Sequence, residues 1–113
     1  MEEETIITHL LGRSPKIKVL DLLIIGWRLE YSITDMAEAA GVGRTTIYRM
    51  LDSMLKDKII VKKGKYGRIQ LYQLNMDNPE IKLLVKCFGE IAKIESEKEI
   101  ERQTIKVKVK ASR

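Results

Sequence analysis

The chain has 113 residues, a net charge of +5 and a pI near 9.4. That length predicts one domain with a short appended element, enough chain to bury a modest core without staples. A single cysteine, Cys87, excludes an internal disulfide, and apolar runs such as "VLDLLII" (Val19–Ile25) are too short to cross a bilayer.

The acidic opening "MEEETIITHLL" lacks the positive charge that begins a secretory signal peptide, so a cytoplasmic protein is expected. Charge is spread unevenly. Residues 1–40 carry a net −3, residues 41–78 a net +5, residues 79–103 a net −1 and the last ten a net +4. A basic excess confined to the middle and the end points to a polyanionic partner, most commonly nucleic acid. Fifteen isoleucines, abundant Lys and Glu, and five Asn and Gln together give the composition a thermophilic cast.

Residues 2–11 have the pattern of a short amphipathic helix, with Ile6, Ile7, Leu10 and Leu11 on one side and Gly12 ending it. It forms an arm over residues 1–13. Ser14 is a natural N-cap and Pro15 suits the first helical position, so a helix is expected over Pro15–Ile25, closed by Gly26. Ile17, Leu20, Leu23 and Ile24 fall at helical spacing and should face the core. "EYSIT" is a β-prone link. Thr34 is the expected N-cap of the next helix, with Asp35 in its first turn. That helix holds Met36, Ala37, Ala39 and Ala40, small enough for close helix approach, and stops at Gly41.

The following helix should start at Gly43 or Arg44 and run to about Lys56. Ile47, Leu51, Met54 and Leu55 form its apolar stripe, and Arg44, Thr45, Tyr48, Arg49 and Asp52 lie off it. Two β-prone runs, Ile59–Lys62 and Arg68–Leu74, then flank "KGKYG". The second places Ile69, Leu71 and Gln73 on one face and Gln70, Tyr72 and Leu74 on the other. Gly64 and Gly67 are expected to supply the positive-φ positions of a hairpin turn. "NMDNPE" is a break in which Asp77 or Asn78 caps and Pro79 opens a helix. That helix should reach about Arg102, roughly 35 Å, with Ile81, Leu84, Val85, Phe88, Ile91, Ala92 and Ile94 as its apolar residues. "TIKVKVKASR", residues 104–113, alternates apolar residues with lysine, as a strand or a disordered basic tail would. The fold class expected is mainly α with a small β-hairpin (α+β).

The stretch "YSITDMAEAAGVGRTTIYRMLDSMLKDKIIVKKGKYGRIQLYQL" resembles the winged helix-turn-helix domain of archaeal and bacterial transcriptional regulators. The family pattern G-[VI]-x-R-x-T-[VI]-x-R-x-[LI] falls on Gly41, Val42, Arg44, Thr46, Ile47, Arg49 and Leu51. The resemblance covers residues 14–76 and leaves outside it the N-terminal arm, the helix over residues 77–103 and the tail. It implies a sequence-specific, double-stranded DNA-binding protein that acts as a homodimer in transcription regulation.

The residue chemistry agrees. A recognition helix enters the major groove with its N-terminal residues facing base edges. Arg44 and Thr45 stand in the first turn and Arg49 about a turn and a half further on, and arginine offers a bidentate fork to guanine or phosphate. Thr34 and Asp35 would lie near the DNA backbone. Lys62, Lys63, Lys65 and Arg68 make the hairpin a phosphate or minor-groove clamp, with Tyr66 at its tip. Bland readings stand beside these: Tyr48 packs against the domain or meets phosphate, Tyr66 fills the turn or meets DNA, and the tail lysines solubilise or bind.

No enzyme activity, metal or cofactor is expected. The only histidine, His9, is far in sequence from Cys87, and "GVGRTT" misses the spacing of both nucleotide-binding glycine motifs. Cys87, in the apolar part of the long helix, is expected in a core or an interface. The long helix must bury its stripe, and Ile81, Leu84, Phe88 and Ile91 are the expected dimer interface, unless the helix folds back on its own domain. A strict coiled coil is not indicated, because continuing the heptad puts Glu95 and Lys98 in the seam. Alternatives are a replication, partition or recombination factor with the same module, or a winged helix that serves as a protein-interaction module within a larger complex.

Overall fold

The computed structural model describes residues 5–111, with side chains through residue 105. The elements, in chain order, are α1 (Ile6–Leu11), α2 (Pro15–Ile25), α3 (Ile33–Ala40), α4 (Arg44–Lys56), β1 (Ile60–Tyr66), β2 (Ile69–Leu74) and α5 (Pro79–Ala111). The start expected for the first helix, at residue 2, lies outside the described residues. Within them, Thr5 is the N-cap of α1, its hydroxyl accepting from the Thr8 N–H. Among the described residues no helix is long and apolar enough to cross a membrane.

α2 has the expected bounds, with Ser14 accepting from the Ile17 N–H and Pro15 at the first position. Its buried residues are Val19, Asp21, Leu23 and Ile24, whereas Ile17 and Leu20 are half-buried. The shift has a packing cause: α2 is the central helix, covered by α1, α3 and α5 and by β2. A single amphipathic stripe therefore does not describe it. The cap of α3 is Ser32, not Thr34. Its hydroxyl accepts from the Asp35 N–H at 3.0 Å while the Asp35 carboxylate accepts from the Ser32 N–H at 3.1 Å. That reciprocal pair satisfies two orphan donors where a Thr34 cap would satisfy one. Thr34 stands exposed in the first turn.

α3 ends in Gly41, whose φ of 67° is left-handed, and the chain turns directly into α4. Ile47, Leu51 and Met54 bury the inner face of α4, as its spacing predicts. Val19 and Leu23 of α2, Met36 of α3, Ile47 of α4 and Ile60 of β1 are the largest fully buried side chains. The core is thus built where these elements meet, each such side chain contributing about 2 kcal/mol relative to exposure.

β1 and β2 pair antiparallel as a two-stranded sheet, from Ile60 opposite Leu74 to Tyr66 opposite Ile69. Tyr31, in the link before α3, adds a short third edge: its N–H and carbonyl exchange hydrogen bonds with Tyr72, each 2.8 Å. Tyr72 and Leu74 are the buried face of β2. Among the two glycines expected to turn the hairpin, only Gly67 has a positive φ, 63°. Gly64 lies in β1, where the register slips by one residue between Lys62 and Lys65. The extra residue is a bulge, which tightens the twist of the outer hairpin.

Asn78 caps α5, its side-chain oxygen accepting from the Glu80 N–H at 3.0 Å. The helix runs 33 residues, to Ala111, rather than ending near Arg102. The apolar–lysine alternation beyond Thr104 is therefore helical over the described residues. A helix satisfies its own backbone there without needing a partner strand. Spaced Glu95–Lys98 and Glu99–Arg102 contacts, each 3.7 Å, and a Thr104 hydroxyl bonded to the Ile100 carbonyl accompany the extension. Its length gives the molecule extents of 62 × 31 × 27 Å.

Ile81 is 7% exposed and belongs to the chain's own core, with Leu84, Val85 and Phe88 packed against it. Three of the four residues expected at a dimer interface are therefore used inside the chain, because α5 begins by lying across α1 and α2. Cys87 is exposed and is not part of the core.

Candidate nucleic-acid interface

The exposed side of α4 is set by its buried side. With Ile47, Leu51 and Met54 inward, Arg44, Thr45, Tyr48, Arg49 and Asp52 are left exposed. The N-cap of α4 is Gly43, which offers no side-chain acceptor. The first-turn N–H groups of this helix thus have no side-chain cap and present partial positive charge outward. Arg44 and Thr45 flank that end, and Arg49 stands about a turn and a half further along the exposed face. The arrangement suits an anion held by backbone N–H groups, with a guanidinium fork beside it.

Tyr48 is 54% exposed. Its surroundings include Tyr72, whose phenol is pushed up chiefly by burial and then by the proximity of Tyr48 and Asp52. Tyr48 therefore stands at the junction of α4 and β2, with its outer half open to solvent.

The hairpin beyond Val61 is exposed on both strands as far as Ile69. Lys62, Lys63, Lys65, Tyr66 and Arg68 are all exposed, Tyr66 to 79%. Gly67 and Arg68 are the two turn residues, so Arg68 is at the very tip and Tyr66 one step below it. Gln70 braces the bulge by donating to the Lys63 carbonyl at 2.6 Å. The outer hairpin is thus an extended, cationic two-stranded projection whose side chains from Lys62 to Ile69 are all exposed.

The base of the hairpin is fixed by residues that the sequence pattern does not mark. Lys58, at the end of α4, has a φ of 58°. Its carbonyl accepts from the side-chain amides of Asn75 and Asn78, both at 3.0 Å. The Asn75 N–H donates to Ile59 at 2.9 Å. Gln73 adds a bond from its side chain to the Trp27 carbonyl at 3.1 Å. These amides tie the hairpin to α2, α4 and the start of α5, and so fix its angle to α4. The signal was present as "NMDN", but a break-and-cap motif carries no hint of a distant carbonyl partner.

All ten residues expected at a DNA surface, Thr34 and those of α4 and the hairpin, are exposed, and they come from three consecutive elements. His9 and Cys87 are not among them. Among the described residues no three His, Cys, Asp or Glu side chains cluster as a metal ion would need.

Helix–helix–turn–helix followed by a two-stranded wing is the winged helix-turn-helix fold of transcription regulators. Solved structures with this fold include HlyU from Vibrio cholerae in its reduced form (TM-score 0.56, 15% identity, 73% of this chain and 83% of that one). MepR, a transcription regulator of a Staphylococcus aureus multidrug efflux pump, matches with a TM-score of 0.53 and 17% identity over 80% of this chain and 70% of its own. A mutant of ZitR from Lactococcus lactis in apo form gives 0.57 and 10% over 84% and 73%. At such identities the likeness is one of fold. No protein-family model and no curated protein matches the sequence.

Proposed function

We propose that the protein is a sequence-specific, double-stranded DNA-binding transcriptional regulator that acts as a homodimer. α4 lies in the major groove and the wing lies on the backbone or in the minor groove. The observation that carries this reading is the pairing of an outward, uncapped α4 terminus, flanked by Arg44 and Thr45 with Arg49 further along the same exposed face, with a cationic hairpin in a winged helix-turn-helix fold. Arg44 and Arg49 serve base edges or adjacent phosphates, and Thr34 a backbone phosphate. Lys62, Lys63, Lys65 and Arg68 supply charge that follows the backbone irrespective of sequence.

Two variants separate these roles. Arg49→Ala should cost about 1–3 kcal/mol on the preferred duplex and much less on an unrelated one, which relaxes specificity. Lys65→Ala should weaken both duplexes alike and lower the salt slope by about 1. Fluorescence anisotropy on the two duplexes at several salt concentrations measures both. If both variants bind as the parent does, the assignment of recognition helix and wing fails.

A further inference from the structure

α5 has two apolar stripes. Ile81, Leu84 and Phe88 face the chain's own core. At about 100° per residue, Leu83, Cys87 and Ile94 form a separate stripe about a third of a turn away, with Ile91 on its border. Leu83 is 62% exposed and Ile94 50%, Cys87 is exposed, and Ile91 is half-buried. Beyond Glu95 every described side chain of the helix is exposed through Ile105. Helical stability in proteins comes mostly from packing an apolar face, and here most of the length has no face packed by its own chain.

The stripe has a symmetry. Cys87 and Ile91 stand two residues either side of Gly89, Leu83 and Ile94 six and five, and Glu80 and Lys98 nine. Glu80 and Lys98 lie on the same side of the helix as the stripe, by the same rotation per residue. We propose that two copies of the chain pair α5 against α5, antiparallel and centred near Gly89, through Leu83, Cys87, Ile91 and Ile94. In that register Leu83 meets Ile94 of the second copy, Cys87 meets Ile91, and Glu80 meets Lys98, each contact made twice. A parallel pair would set Glu80 against Glu80 and Lys98 against Lys98, so charge selects the antiparallel arrangement. A two-fold axis through the pair makes the surface self-complementary, as an isologous contact requires. The inference rests on the homodimer reading and specifies its face and direction.

The test uses the full chain. Light scattering after size exclusion gives the oligomeric state, and a short bismaleimide probes Cys87. Two copies of position 87 are offset by about 6 Å along the axis, and two copies of position 83 by about 18 Å. The native chain should therefore cross-link to a dimer, and the Leu83→Cys/Cys87→Ser chain should not. Leu83→Glu should give a monomer; the exposure of Leu83 means that the fold does not depend on it. Glu80→Lys and Lys98→Glu should each weaken the dimer at least about threefold, and the double exchange should restore it. A dimer that survives Leu83→Glu and does not cross-link overturns this face while leaving the homodimer reading intact. Equal cross-linking at both positions overturns the direction. A native chain that is monomeric at micromolar concentration overturns the homodimer reading itself.

Discussion

Asp21 is a carboxylate in the core, 8% exposed. Thr5 donates to one of its oxygens at 3.0 Å, and the other has no hydrogen-bond partner among the described residues. It borders a cavity of about 660 Å³ between α1, α2 and α5, where His9 and Glu95 also lie, and a smaller recess lined by Arg13 and Lys18. Burial pushes its carboxyl above the usual carboxylate range, and the Thr5 hydrogen bond opposes that only in part. The folded chain therefore holds the Asp21 proton more tightly than the unfolded chain does. The associated stability is fully present below the ordinary carboxylate value, 3.8, and is lost as pH rises through the raised folded value. Asp21→Asn should thus raise unfolding free energy at neutral pH by about 1 kcal/mol, with the gain shrinking as pH falls towards 4. Denaturant unfolding at several pH values checks it; a gain independent of pH, or a loss at pH 7, contradicts it. Asp21 illustrates what sequence reading loses at this scale. An acid within "VLDLLII" interrupts an apolar run, and nothing in the string says that a threonine from another helix covers it. Arg44, Thr45 and Arg49 were legible, because their exposure follows directly from the burial of Ile47, Leu51 and Met54 on the same helix.

Element bounds followed where the chemistry is local. Ser14–Pro15 starts α2, and Gly41 ends α3 in a left-handed conformation. Gly41→Ala should cost about 1–2 kcal/mol of stability for a side chain at φ 67°, and weaken duplex binding as well, since this turn aims α4. Thermal unfolding together with a binding titration tests both parts; a variant as stable as the parent would show that the turn tolerates a Cβ. Where the structure differs from the local pattern, the deciding partner lies elsewhere in the chain. Ser32 caps α3 because Asp35 answers it. Gly64 sits in a bulge because strand register, not glycine count, locates the turn at Gly67. The "IKVKVK" alternation reads as β by period, yet it follows an established helix that continues through it.

At the scale of the molecule, the order of helices and hairpin in the winged helix-turn-helix was legible, since its signals are spacing and turn chemistry within one continuous stretch. The face of α5 was not. One set of its apolar residues, Ile81, Leu84 and Phe88, goes to the chain's own core, and only the assembled fold separates this set from Leu83, Cys87 and Ile94. A helix of 33 residues spans about 50 Å, so a two-fold pair along it would hold two recognition helices at a fixed separation. The preferred sites should then be palindromic, with half-sites about one helical turn of DNA apart or a multiple of it. Whether this fold reads duplex DNA is tested most directly by selection from a random duplex pool at several salt concentrations, followed by sequencing. The expected result is an enriched palindrome whose affinity falls steeply with salt, as when several phosphates are neutralised. A pool that returns unenriched, with retention indifferent to salt, contradicts it.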